Sequence, residues 1–276
     1  MSIQNVVLIG GGVLGSQIAY QTAYKGFHVT IWLRSDASIG RAQPKLQRLH
    51  DIYVAELTAA KSSPGPYSPG LLDNGRTYTP EEIDGRIAQA DAALAGLTLT
   101  TDLAGAVKDA DLVIEALAEV PQEKIEFYQK LAPLLPEKTI LATNTSTLLP
   151  SSLAQYTGRP EKYLALHFAN NIWKQNTAEV MGHLGTDPAA YEEVAQFAAD
   201  IGMVPLRLKK EKNGYLLNSM LVPFLMAAQS LWAEDIADFE TIDKTWVLAT
   251  GAPMGPFRIL DIVGITTAYN ILTNNP

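Results

Sequence analysis

The stretch Ile3-Gln4-Asn5-Val6-Val7-Leu8-Ile9-Gly10-Gly11-Gly12-Val13-Leu14-Gly15-Ser16-Gln17-Ile18-Ala19 opens the chain and decides its fold. Residues 3–9 build to an apolar, β-branched run, the pattern of a strand buried on both faces. Three glycines end it. Residues 13–25 carry small and apolar side chains at helical spacing, and Gly26 stands where a helix commonly closes on glycine. Residues 28–33, HVTIWL, are a second strand-like run. Strand, glycine turn, helix, glycine and strand make one βαβ unit.

Gly10, Gly12 and Gly15 match G-x-G-x-x-G. The pattern is weak alone, but it gains meaning at a strand end that opens a helix. The first glycine makes the tight turn, the second lets backbone approach a pyrophosphate, and the third lets helix pack on strand. The amides around Val13 and Leu14, at the helix N-terminus, then face the phosphates. The alternative is a glycine turn that serves packing only. About 20 residues on, a dinucleotide fold places an acid on the ribose 2′-hydroxyl. Here Leu33, Arg34 and Ser35 occupy that place. Without the acid, repulsion of a 2′-phosphate is gone, and a guanidinium pairs with phosphate bidentately. The expected cofactor is therefore NADP. NAD is the alternative, with Asp36 serving late as the acid.

Working outward, residues 37–61 have helical periodicity and Ser62–Pro80 reads as a loop. Thr79 and Pro80-Glu81-Glu82 open another helix. Residues 97–100, 111–115 and 139–142 are further strands separated by helical stretches, which predicts an α/β, Rossmann-type, doubly wound parallel sheet with a helical excursion after strand two. Residues 163–168 and 178–183 read as two more strands, 188–200 as a helix and 203–208 as a strand. From Asn213 onward no strand is predicted. Helices are expected at 216–232, 240–250 and 256–273. The expected domains are 1–210, dinucleotide-binding, and 211–276, smaller and all-α, with the C-terminus either short or lacking a tail.

Composition sets outer limits. The chain has 276 residues, 47% hydrophobic and 18% charged, which is ordinary for a globular protein. Its net charge of −8 makes it a poor binder of nucleic acid, which needs a basic face. It has no cysteine, which excludes disulfides, thiolate metal sites and cysteine nucleophiles and fits a reducing compartment. No metal site is expected. The richest apolar run, Met220–Ala228, contains Pro223 and is far short of the roughly 20 residues of a membrane span. The N-terminus is read as mature sequence, and the cytoplasm is the expected location.

A second constellation is Asn144-Thr145-Ser146-Thr147, His167-Phe168-Ala169-Asn170 and Glu179. Asn144 and His167 each follow or end a strand, where open α/β sheets bind ligands. If the strands at 163–168 and 178–183 pair antiparallel, Glu179 faces His167. That supplies a base and a carboxylate that orients it. The plain alternative is a structural histidine, the reading kept for His28 and His183, with His50 a solvated helix residue.

These residues resemble the 3-hydroxyacyl-CoA dehydrogenase family over nearly the whole chain. GGGVLGSQIA looks like its dinucleotide turn. DLVIEALAEVPQEK (111–124) looks like its fourth strand and following turn, with Glu119 and Lys124 matching residues near the nicotinamide. NTSTL matches its serine motif, HFAN with Glu179 its catalytic pair, and Asn170 a cofactor-site asparagine. NGYLLNSMLVPFL matches the first C-terminal helix, with Asn218 its substrate asparagine. GAPMGPFRILDIVG (251–264) is the most literal match.

The resemblance implies reversible oxidation of a 3-hydroxyacyl-CoA, short-chain here, as in fatty-acid metabolism. It makes His167 the general base, Glu179 its orienter, and Ser146 and Asn218 the hydrogen-bond partners of the reacting oxygen. It implies a small-molecule CoA thioester as substrate and a homodimer built through the C-terminal helices. The chain also departs from the family. Leu33-Arg34 replaces the acid, and Asn171 follows Asn170 where proline is usual. The CoA-contacting serine and lysine fall on Leu49 and Glu56 in a gapless reading, leaving Lys45, Arg48 or Lys61 for that role. The alternatives are an NADP-dependent dehydrogenase of a free 3-hydroxy acid and a non-catalytic dinucleotide-binding protein.

Overall fold

A computed structural model describes residues 3–62, 68–73 and 75–264. Their elements run β1 (Asn5–Ile9), α1 (Val13–Tyr24), β2 (His28–Trp32), α2 (Asp36–Ala60), α3 (Pro80–Gly96), β3 (Thr98–Thr100), α4 (Leu103–Val107), β4 (Leu112–Glu115), α5 (Pro121–Leu131), β5 (Ile140–Thr143), α6 (Pro150–Leu153), β6 (Tyr163–Phe168), β7 (Thr177–Met181), α7 (Pro188–Asp200) and β8 (Val204–Arg207). Three further helices follow: α8 (Leu217–Ala233), α9 (Phe239–Thr250) and α10 (Pro256–Val263).

The strands form one sheet in the order β3-β2-β1-β4-β5-β6-β7-β8. All neighbouring pairs are parallel except β6 with β7. The connection reverses direction between β1 and β4, which opens a crevice above the carboxyl ends of those strands. Alternate residues of β1 serve opposite faces. Val6 and Leu8 join Ile18, Leu46 and Phe197 in one apolar cluster, whereas Val7 and Ile9 join Val107, Tyr128 and Leu131 in the other. Each fully buried aliphatic side chain contributes about 1.5–3 kcal/mol over its exposed state.

Local chemistry sets the helix ends. Gly26 has φ +94, and the amides of Gly26 and Phe27 donate to the carbonyls of Ala23 and Thr22, so glycine closes α1 as expected. In α3, Thr79 and Glu82 form a reciprocal capping box ahead of Pro80. α2 tolerates Pro44 in its interior. Pro205 lies in the edge strand β8, where a missing N–H is least costly.

Two expected boundaries move. The strand expected at 178–183 ends at Met181, because His183 N donates to Thr186 Oγ1 and Thr186 N to the His183 carbonyl, closing a turn. The helix expected at 256–273 is described as far as Val263, after which Gly264 takes φ +90; residues 265–273 lie outside the described residues.

The chain falls into two compact units, Met1–Tyr215 and Leu216–Pro276. Within the second, Phe224 and Trp246 pack with ring centres 4.5 Å apart. The Asp243 carboxylate accepts from the amides of Phe257 and Arg258 and so caps α10. Among the described residues, no helix is long and apolar enough to cross a membrane.

Candidate active site

The loops after β1, β4, β5 and β6 all leave the carboxyl ends of their strands. The first is the glycine turn. Gly10 adopts φ +104, and a Cβ there would stand 2.8 Å from the Ala116 carbonyl oxygen. A Cβ on Gly15 would stand 2.4 Å from the Gly10 carbonyl. A Cβ on Gly12 would meet nothing within 4 Å. Gly10 and Gly15 are thus required by the fold itself, whereas Gly12 leaves open space over the first turn of α1. No side chain caps that helix, and Val13 beside it is 64% exposed. Uncapped amides under an open approach fit a dinucleotide pyrophosphate. Gly12→Val should therefore leave the melting temperature of the ligand-free protein unchanged and abolish nucleotide binding, as read by titration calorimetry. A variant that melts early would make Gly12 a folding residue instead.

The antiparallel pairing of β6 and β7 puts His167 directly opposite Glu179. His167 Nδ1 lies 2.9 Å from Glu179 Oε2, and both side chains are nearly fully buried. An ionised carboxylate only accepts, so Nδ1 carries the proton and Nε2 presents its lone pair. Ser146 Oγ lies 3.1 Å from Nε2. The Tyr215 ring stacks on the imidazole, centre to centre 4.5 Å and 21° from parallel. Ring plane, tautomer and open nitrogen are therefore all held by neighbours. Burial raises the Tyr215 phenol well above its ordinary value, so that ring stays neutral.

Glu119 anchors the Ser146 loop. Its carboxylate accepts from Thr145 Oγ1 at 2.6 Å and from the Ser146 amide at 2.8 Å. Asn144 Oδ1 accepts from the Phe168 amide at 3.1 Å, tying the same loop to the end of β6. Removing the charge of Glu119 should loosen Ser146 against His167. Glu119→Gln is expected to lower kcat about tenfold, the scale of one charged hydrogen bond, with a smaller change in nucleotide affinity. An unchanged kcat with nucleotide binding lost would instead assign Glu119 to the cofactor.

Lys124 turns inward. Its Nζ is 2.6 Å from Glu115 Oε1, and both side chains are 0% exposed. Glu115 also accepts from Tyr128 Oη at 2.7 Å, Thr143 Oγ1 at 2.8 Å and the Leu117 amide at 2.6 Å. The Lys124 ammonium therefore does not face the crevice. It sits beneath the 116–120 turn that carries Glu119.

At the end of β2, Leu33 is buried, Arg34 is exposed and Ser35 caps α2 by accepting from the Ser38 amide. Of the basic residues considered for CoA, Lys45 donates to the Gly11 carbonyl at 2.9 Å and Lys61 pairs with Asp84. Leu49 is buried, and Glu56 pairs with Lys174 at 2.5 Å. Asn170 is exposed at the head of the loop after β6. That loop is held by Gln17, whose Oε1 accepts from the Asn171 amide at 2.8 Å. Asn218 lies in the first turn of α8, in the second unit. His50 is not merely solvated; it bridges Asp51 and Asp91. Among the described residues no cluster suits a metal ion.

Sequence reasoning missed Tyr215, Gln17 and the role of Glu115, and it considered Lys45 for a CoA tail, whereas its ammonium donates to the Gly11 carbonyl. Glu115 had a readable signal, an acid ending the apolar run Leu112–Ile114 with a lysine nine residues later. Tyr215 had none, lying 48 positions from His167.

The profile of the 3-hydroxyacyl-CoA dehydrogenase NAD-binding domain matches residues 5–67 and 72–212, and that of the family's C-terminal domain matches 214–275. The human mitochondrial hydroxyacyl-coenzyme A dehydrogenase is 31% identical over 98% of this chain and 79% of its own. A solved diketoreductase, described as catalysing reactions of dicarbonyl compounds, is 51% identical with a TM-score of 0.85, over 98% of this chain and 87% of its own. The FadB2 structure from M. tuberculosis is 29% identical with a TM-score of 0.83, over 97% and 85%.

Proposed function

The chain belongs to the 3-hydroxyacyl-CoA dehydrogenase family, whose members are oxidoreductases that use a nicotinamide dinucleotide, and from that premise we propose that it interconverts a 3-hydroxyacyl-CoA of short chain and its 3-keto partner with His167 as the base. The observation that carries this reading is the Ser146–His167–Glu179 relay, whose His167–Glu179 pair is buried. In oxidation, His167 Nε2 takes the hydroxyl proton of the substrate; in reduction it returns one to the forming alkoxide. Glu179 stabilises the imidazolium between those events. Ser146 Oγ donates to the reacting oxygen and fixes its direction. A nicotinamide dinucleotide, when bound, would supply the hydride acceptor or donor for the carbon bearing that oxygen. Gly10, Gly12, Val13, Leu14 and Gly15 would hold the dinucleotide, with Asn144 and Asn170 beside it. Leu33, Arg34 and Ser35 favour NADP over NAD.

A second reading has a specific observation behind it. The 51% identical diketoreductase acts on dicarbonyl compounds. Lys45 is engaged on the Gly11 carbonyl, Lys61 on Asp84, and Glu56 is paired with Lys174. A free 3-hydroxy acid and its 3-keto partner, or another small β-dicarbonyl, would need none of them. The second unit leaves Met220, Trp232 and Leu248 exposed, which supports a homodimer through these helices. The absence of cysteine fits a reducing compartment. The deciding assay follows the absorbance of NADPH and NADH separately with acetoacetyl-CoA, ethyl acetoacetate and free acetoacetate. Turnover of the thioester alone supports the first reading. Turnover of the ester or free acid moves the assignment to the second, and turnover of none removes the activity.

A further inference from the structure

We infer that α2, and not only the end of β2, carries the phosphate specificity of the nucleotide site: Arg41 and Lys45 complete, with Arg34, a cradle for the 2′-phosphate of an adenine nucleotide. The inference rests on the dinucleotide reading of the glycine turn and extends it to residues on a different element.

Gly11 is the reference point. A Cβ on it would stand 2.8 Å from Leu33 Cδ2 and 3.0 Å from Ala42 Cβ, so the glycine turn, the end of β2 and α2 meet there. Arg34 follows Leu33 in the chain. Arg41 precedes Ala42 and Lys45 is one turn later, so Ser38, Arg41 and Lys45 share one stripe of α2. The stripe is tied together and to the turn. Ser35 Oγ and Ser38 Oγ are 3.0 Å apart, Arg41 Nη2 donates to Ser38 Oγ at 2.8 Å, and Lys45 Nζ donates to the Gly11 carbonyl at 2.9 Å.

Among the described residues these cations have no acidic partner. In a chain with 29 acids against 21 Lys and Arg, the described structure pairs Lys61, Arg76, Lys124, Lys138, Lys174 and Arg207 with carboxylates, but none of Arg34, Arg41 and Lys45. Arg34 makes no side-chain hydrogen bond among the described contacts, and its exposed guanidinium is available. The nearest acid in sequence is Asp36, exposed in the first turn of α2 and in no described ion pair. The buried end of β2 is hydrocarbon, the Leu33 side chain, and offers nothing to a ribose 2′-hydroxyl. A dianion at this junction meets two forked guanidinium donors and an ammonium already seated on the turn; a neutral 2′-hydroxyl uses none of that charge.

The test uses half of the cofactor, so it does not depend on catalysis. Calorimetry of the intact chain should show adenosine 2′,5′-bisphosphate binding at least tenfold tighter than 5′-AMP, with the gap shrinking as salt rises. Arg34→Ala, Arg41→Ala and Lys45→Met should each remove about tenfold from the bisphosphate, the scale of one charged hydrogen bond, and leave 5′-AMP unchanged. Equal affinities in the parent protein overturn the inference. So does weakening of both nucleotides alike by Arg41→Ala and Lys45→Met, which would make those residues supports of the turn. Binding of neither nucleotide overturns the dinucleotide reading as well. A 2′-phosphate preference that survives both α2 variants, but not Arg34→Ala, returns the specificity to β2 alone.

Discussion

His167→Asn is expected to lower kcat by about 10³-fold, within the range that a positioned general base contributes, while NADPH and NADH bind as before. The choice of asparagine isolates the chemistry. Its side-chain amide can still donate to Glu179 and fill part of the buried space, so the carboxylate is not left alone. What it lacks is the second ring nitrogen, the one 3.1 Å from Ser146 Oγ. Single-turnover kinetics with saturating nucleotide separate the chemical step from release. A kcat within threefold of the parent would remove His167 as the base and assign the proton transfer to another group. Loss of nucleotide binding together with activity would instead show that the substitution disturbs the crevice.

The second large effect is on stability. Lys124→Met is expected to destabilise the first unit by about 3–5 kcal/mol, because it leaves the Glu115 charge buried without its cation. At this chain length that corresponds to a melting temperature lower by roughly 10 °C. The three neutral donors on Glu115, from Tyr128, Thr143 and Leu117, solvate the carboxylate only in part. Burial and the Glu115 charge hold the Tyr128 phenol well above its ordinary value, so it remains a donor and does not add a second charge. Adding Glu115→Gln to Lys124→Met removes the stranded charge and should recover at least half of the loss. Circular dichroism melts of the parent, both single variants and the double variant complete the cycle. Equal melting for parent and Lys124→Met would mean that water reaches the pair. The outcome also bears on the site, because this pair lies under the turn that delivers Glu119 to the Ser146 loop.

Residues close in sequence determined much of this protein. The βαβ opening, the tight turn at Gly10 and close packing at Gly15, the α2–α3 excursion, the N-cap at Thr79 and the helices α8–α10 among the described residues were legible because propensity, periodicity and turn chemistry act over a few positions. His167 and Glu179 were nameable as a pair, twelve residues apart across a polar loop. Whether they met depended on strand direction and register, since a slip of one residue would turn Glu179 to the other face of the sheet. The tertiary structure alone decided where the other charges go. Lys124 matched a cofactor residue by pattern, yet its ammonium lies on Glu115. Lys45 was a candidate for a CoA tail and sits on the Gly11 carbonyl. Tyr215 comes from the end of the first unit to stack on the imidazole. The physical reason is common to all three. A long or aromatic side chain reaches several ångströms from its own backbone and settles where burial, charge pairing and ring contact are best satisfied together. Those partners are brought by strands and helices remote in the sequence, so the choice among them is made only once the sheet has formed.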